Sequence, residues 1–169
     1  MVENVILVDT NDKKLGEEEK MSAHEKGLLH RAFSIFVFNS KGELLLQQRA
    51  FHKYHSKGIW ANTCCSHPRT SETLNESVNR RLQEELGFTT DLEKKFDFIY
   101  KAPVENLIEH EFDHVFVGKY DGEVRPNPDE VHDYKWIAKE QLIADSKEHP
   151  EKYAEWFKII INQYLDKIW

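Results

Sequence analysis

A single α/β domain, with a mixed β-sheet held between helices, is the fold that this chain of 169 residues predicts. The length lies near the mode for one domain and suffices to bury a core between two or three packed layers. Residues 73–86 repeat apolar side chains at helical spacing, while shorter apolar runs have the length of strands. These elements follow one another in mixed order, without the regular strand-helix repeat of a dinucleotide-binding fold.

Val5–Val8 is a strand that ends at a polar turn, and Glu17–Lys26 is charged enough for a surface turn or a short helix. Ala32–Phe38 and Glu43–Gln48 are strands joined by Asn39-Ser40-Lys41-Gly42, whose composition suits a hairpin connection. Leu74, Val78, Leu82 and Leu86 mark one face of a helix that Gly87 caps, with Arg80 and Glu84, like Arg81 and Glu85, one turn apart. Phe96–Lys101 and Ile108–Val117 are strands, followed by turns at Asp121-Gly122 and Pro126-Asn127-Pro128 and a last short strand at His132–Ile137. After Pro150 a broad apolar stripe from Tyr153 through Trp156, Phe157, Ile160 and Ile161 to Ile168 predicts a terminal helix packed on the sheet.

Composition narrows the function. A formal charge of -7 disfavours a general nucleic-acid surface, which needs clustered Lys and Arg to neutralise phosphates, although local basic spots can still bind a small anion. No apolar run approaches the length of a membrane span, and Met1–Asp9 lacks a basic leader. The two cysteines, Cys64 and Cys65, are adjacent, which suits reduced thiols in cytoplasm rather than a disulfide framework. A monomer that acts on a small molecule, without nucleic acid or membrane, is expected.

Two stretches carry chemistry: Trp60-Ala61-Asn62-Thr63-Cys64-Cys65-Ser66-His67-Pro68 and Glu109-His110-Glu111. His110-Glu111-Phe112-Asp113-His114 matches a zinc-protease pattern, in which a helix brings two histidines onto one ion. The apolar pattern around it favours a strand, which would set those histidines about 13 Å apart at roughly 3.3 Å per residue. The same strand turns Glu109 and Glu111 to one face, with Asp113 continuing the row. His24, His30 and His67 would complete a mixed nitrogen and oxygen site for manganese, magnesium or zinc, if the fold brings them together. Cys65, two residues before His67, is the better reactive thiol, while a buried inert role suits one of the pair. Glu84 and Glu85 could hold magnesium or merely decorate the helix surface, and Lys20, Arg49, Lys53 and Arg81 together could neutralise a diphosphate.

Across nearly its whole length the chain resembles type 1 isopentenyl-diphosphate delta-isomerases of the Nudix-like superfamily. The residues that carry the likeness are Met21-Ser22-Ala23-His24, Leu28–Ser34, Asn62–Pro68, Arg80-Arg81-Leu82-Gln83-Glu84-Glu85-Leu86-Gly87, Glu109-His110-Glu111 and the Trp156 segment. The resemblance implies a Nudix-like domain over 1–169 that interconverts isopentenyl and dimethylallyl diphosphate through a tertiary carbocation. It implies that His24, His30, His67, Glu109 and Glu111 hold a tight divalent metal (Mn2+, Mg2+ or Zn2+), and that Glu85 helps bind Mg2+ with the substrate diphosphate. Cys65 and Glu111 match the two catalytic residues, Tyr100 the tyrosine bonded to the carboxylate, and Trp156 the aromatic face beside the cation. Lys20, Arg49, Lys53 and Arg81 match the basic clamp. In this reading Glu111 gives the first proton in the direction of dimethylallyl diphosphate and Cys65 removes the other, with the roles reversed for the return.

A Nudix hydrolase is the nearest alternative. Its helix pattern keeps Glu72, Arg80, Glu84, Glu85 and Gly87, but has Gly at Ser66 and Glu at Arg81. Arg81 removes an oxygen ligand and adds a cation, which favours isomerisation. A noncatalytic binding protein on the same sheet would leave the joint presence of Cys65, His67, Glu109, Glu111 and the clamp without purpose. Asp113 and His114 are expected to be supporting or surface residues.

Overall fold

Residues 3–53 and 55–169 are described in the computed structural model. In chain order they form β1 (Asn4–Val8), β2 (Lys14–Glu19), α1 (Lys20–Lys26), β3 (His30–Phe38), β4 (Leu44–Arg49), β5 (Trp60–Ala61) and β6 (Cys64–Ser66). There follow α2 (Leu74–Leu86), β7 (Leu92–Val104), β8 (Leu107–Lys119), β9 (Val131–Ile137), α3 (Lys139–Glu148) and α4 (Glu155–Gln163). The strands make one mixed sheet organised on β3. β3 runs parallel to β8 from the pair His30 with Glu111 to the pair Phe38 with Lys119, and antiparallel to β6 over Phe33–Ile35. β8 continues outward into a long hairpin with β7, and β4 pairs with β5 and β9.

Alternation along β3 builds two cores. Phe33, Ile35 and Val37 face α2, where they meet Val78, Leu82 and Leu86; Phe36 and Phe38 face Trp156, Phe157 and Ile160 of α4. The sheet therefore lies between helices, as the mixed order of elements predicts. α2 has the caps its sequence promises: the Thr73 hydroxyl accepts from Glu76 N, and Gly87 takes the left-handed conformation (φ 73°). A side chain at Gly87 would also meet the Arg125 carbonyl oxygen at 2.7 Å, so the chain closes on the helix end only because glycine is there.

The structure adds elements that the apolar pattern does not mark. β2 is charged at four of its six residues and pairs only with β1 among the described strands, and β5 and β6 are too short to show alternation. In α3 only Leu142 and Ser146 are buried, which leaves a weak stripe. The terminal stripe is broken rather than one helix: Tyr153 is extended and bridges Trp60, Ala154 N donates to Trp60 O, and a 3-10 turn at Leu165–Lys167 follows α4. None of the described helices is long and apolar enough to cross a membrane.

Leu82 is fully buried at the centre of the α2 core. Leu82→Ala is expected to lower unfolding stability by about 2–5 kcal/mol, read as a shifted urea midpoint with unchanged slope.

Candidate active site

Short, capped elements deliver the histidines. The Glu19 carboxylate accepts from Met21 N and Ser22 N to start α1, which places Lys20 and His24 one turn apart on the face that lines the central pocket. Gly27 ends the helix at φ 67°, where an added Cβ would press within 3.2 Å of Ile108, so α1 turns back tightly over β8. His30 opens β3 beside Glu111 of β8, and His67 follows β6. All three imidazoles are buried or nearly so.

The proton positions on two rings follow from their partners. His24 Nδ1 lies 2.7 Å from Lys20 O and His30 Nδ1 2.9 Å from Leu28 O; a carbonyl only accepts, so both Nδ1 atoms donate and both Nε2 atoms present a lone pair. His30 Nε2 then stands 3.2 Å from Glu111 Oε2, an acceptor facing an acceptor, and His67 Nε2 lies 3.2 Å from His30 Nε2 and 2.9 Å from the same oxygen. Donors on one cation with bonds of about 2.1 Å stand roughly 3.0 Å apart when adjacent. Ligand atoms of His24, His30, His67 and Glu111 all lie within 4.8 Å of one another, and Glu109 forms a second such group with His24 and His55. Glu109 Oε1 is buried without a hydrogen-bond partner. The donor set therefore fits a divalent metal, with His24, His67, Glu109 and Glu111 lining the pocket and His30 against His67 and Glu111.

Charge supports that fit. Burial alone would push the Glu111 carboxyl up, but the His30 and His67 imidazoles beside it hold it well below the usual carboxylate range. Burial and the Glu111 charge push Glu109 well up, so without a cation it retains its proton. Burial lowers His67 to about 4, which leaves a neutral imidazole able to ligate.

The remaining expected residues line the same cavity or flank it. Tyr100, paired across the strands with Glu111, donates its hydroxyl to Glu111 Oε1. The two cysteines part: Cys64 is buried in the α2 core, while Cys65 lines the pocket. The Cys65 thiol donates to Asn62 Oδ1 at 3.0 Å, and the Trp156 indole donates to that oxygen at 3.0 Å. Burial, then the Asp113 charge, keeps the thiol protonated. Lys20, Arg49, Lys53, Arg81 and Glu85 stand at the pocket, with the Arg49 guanidinium 5.9 Å from the Trp156 ring centroid. Arg81 Nη2 bonds Glu85 Oε2 at 2.6 Å, whereas Glu84 points outward to Arg80 at 2.6 Å; the surface account applies to Glu84 and the pocket account to Glu85. Arg49 Nε and Arg81 Nε are buried donors without an acceptor, a natural complement for an anion.

His110 and His114 do not share an ion. β8 is a strand throughout; the His110 imidazole bonds Gly27 O, and His114 Nε2 lies 3.0 Å from Asp12 Oδ2. Asp113 and His114 are buried rather than surface residues, and Asp113 accepts from Ser34 Oγ at 2.7 Å. Several pocket residues have no sequence signal. Glu130 pairs with Lys53 and lies 3.4 Å from Arg81, and Gln47 bonds Glu85 at 2.8 Å. Gln47 lies within β4 and Glu130 in the turn before β9, and neither has distinctive spacing. Asn62 sits inside the quoted motif, but its bridging position depends on α4.

The His67 shift has a direct consequence for stability. The folded ring binds its proton near pH 4 and an exposed ring near 6.5, so the unfolded chain protonates first as pH falls. The metal-free protein should lose stability across that window, and His67→Gln should flatten the loss, as measured by urea melts at pH 7, 5.5 and 4.5.

Comparison with known proteins places this geometry. A family model described as the NUDIX domain matches residues 28–158. Isopentenyl-diphosphate Delta-isomerase 1 of Aromatoleum aromaticum is 52% identical over 98% of this chain and 94% of its own length. Isopentenyl-diphosphate Delta-isomerase 2 of Photorhabdus laumondii is 53% identical over 96% of this chain and 92% of its own length. The solved structure of DR0079 from Deinococcus radiodurans has the same fold, with a TM-score of 0.78 at 18% identity, and covers 96% of this chain and 99% of that one. With that coverage, and with its pocket residues in the positions described, the chain belongs to the isopentenyl-diphosphate Delta-isomerases of the NUDIX family.

Proposed function

We propose that this enzyme interconverts isopentenyl diphosphate and dimethylallyl diphosphate by adding one proton to the alkene and removing another from the resulting tertiary carbocation. One observation carries the reading. A single pocket has an unfilled buried acceptor, Glu109 Oε1, unfilled buried donors on Arg49 and Arg81, and two groups that can exchange a proton, Cys65 and Glu111. Such a pocket suits a cation, a diphosphate and proton transfer together.

Lys20, Arg49, Lys53 and Arg81 bind the diphosphate, while Glu130 holds Lys53 in place and stands against Arg81. His24, His30, His67, Glu109 and Glu111 would hold a divalent metal (Mn2+, Mg2+ or Zn2+), which when bound would supply positive charge beside the Glu111 carboxylate, and Glu85 would help hold Mg2+ with the diphosphate. The Trp156 ring offers its face to the carbocation without bonding to it. At rest the mobile proton sits on Cys65 and Glu111 is anionic. Delivery by Glu111 toward dimethylallyl diphosphate thus requires that Glu111 first gain a proton, through the Tyr100 hydroxyl directed at Oε1, and that Cys65 give up its own so that a thiolate accepts the proton that leaves. The opposite order begins from the resting state: Cys65 protonates the alkene, and Glu111 takes the proton that leaves.

The whole chain acts as one domain in this reading, in the cytoplasm and as a monomer, since a single chain supplies every residue named and both cysteines are unpaired. Proton NMR with isopentenyl diphosphate and Mg2+ in heavy water should show deuterated dimethylallyl diphosphate without release of phosphate or pyrophosphate; hydrolysis would replace the reading with a phosphohydrolase. Cys65→Ala should lower kcat by about 10²–10⁴-fold or more while metal content is kept, and near-normal turnover would remove its role. Glu111→Gln should reduce both turnover and bound metal, measured by atomic emission on the purified protein.

A further inference from the structure

The segment between β4 and β5 carries a histidine that the metal set named above does not include. His55 is 4% exposed, and its ring centroid lies 6.0 Å from that of His24. One ring nitrogen of His55, one of His24 and a carboxylate oxygen of Glu109 all fall within 4.8 Å of one another. In an octahedral shell with bonds of about 2.1 Å, opposite donors are roughly 4.2 Å apart, so this spacing is that of ligands about to share an ion. Ser56 Oγ lies 3.1 Å from His55 Nδ1, a bond of the type that orients a ligating imidazole. The buried Glu109 Oε1, without a hydrogen-bond partner, belongs to the same corner of the pocket.

His24 is common to this group and to the group formed with His30, His67 and Glu111. We propose that His55 is a further protein ligand of the divalent cation, so that six side chains close its shell and leave no position for water. The proposal rests on the metal-binding part of the function proposed above. Its consequence is a link between two sites: His55 shares its segment with Lys53, and Arg49 stands where that segment begins. A cation that draws His55 inward therefore orders the part of the chain that grips the diphosphate.

Pulsed EPR of the Mn2+-loaded full chain, with and without 15N-histidine labelling, counts the coordinated imidazoles. Chelator competition gives the Mn2+ dissociation constant. The expected result is four histidine couplings in the wild type, three in His55→Gln, and Mn2+ affinity lowered by about tenfold or more in the variant. The wild-type count decides even if the variant fails to fold. Three couplings in the wild type, or an unchanged count and an affinity within twofold in a folded His55→Gln, overturns the His55 assignment and leaves the other ligands standing. A wild type that shows no histidine coupling overturns both this assignment and the metal site on which it rests.

Discussion

The parallel pairing of β3 with β8 is the constraint on which the pocket depends. It sets His30 beside Glu111 although the two are 81 positions apart in sequence. Side chains alternate along a strand, so a slip of one residue would send Glu109, Glu111 and Asp113 to the opposite face and bring His110, Phe112 and His114 into the pocket. The slip is opposed by the core, because it would also move Phe116 out of the α2 layer and Val115 out of the α4 layer. The apolar half of β8 thus holds the polar half in register, and the site inherits its accuracy from the packing of residues that touch no ligand.

A pocket of this kind is expensive in the metal-free chain. Four buried histidines, the buried Glu109 and Glu111 and a buried aspartate sit close together, and His30 Nε2 opposes Glu111 Oε2 as acceptor to acceptor. Desolvation pushes both glutamates up and His67 down, and the imidazoles beside Glu111 reverse its shift, so that Glu109 is held well above the usual carboxylate range, Glu111 well below it, and His67 neutral. The cations on the other side are arranged differently. Lys53 and Arg81 contact Glu130, and Arg81 is bonded to Glu85, so carboxylates fix both cations in position.

Much of the fold is legible in the sequence because burial imposes period. Leu74, Val78, Leu82 and Leu86 announce α2 by spacing alone, and the alternating carboxylates of β8 identify the strand despite the protease-like string. β2, α3 and the short β5 and β6 lie in segments with little contrast between faces, where no period exists to be read. In the site, resemblance to the family marks the residues, whereas convergence is decided by β3, β8 and the turn of α1 at Gly27. Glu130, Gln47 and His55 are drawn in by the pairing of β4 with β5 and β9, and nothing local distinguishes them from surface residues.

Asn62 connects the chemistry to the core through one amide. Its Nδ2 donates to Ile35 O and Cys64 O, and its Oδ1 accepts from the Cys65 thiol and the Trp156 indole, so all four of its bonding positions are filled. No rotation of that side chain satisfies the same partners, because exchanging nitrogen for oxygen would set an acceptor against two carbonyls and donors against two donors. Spontaneous hydrolysis of the amide to a carboxylate, a change of about one mass unit, would have the same effect at the carbonyl side. The lifetime of the active pocket is therefore tied to the chemical ageing of a single nitrogen atom, which its burial among backbone carbonyls protects from water.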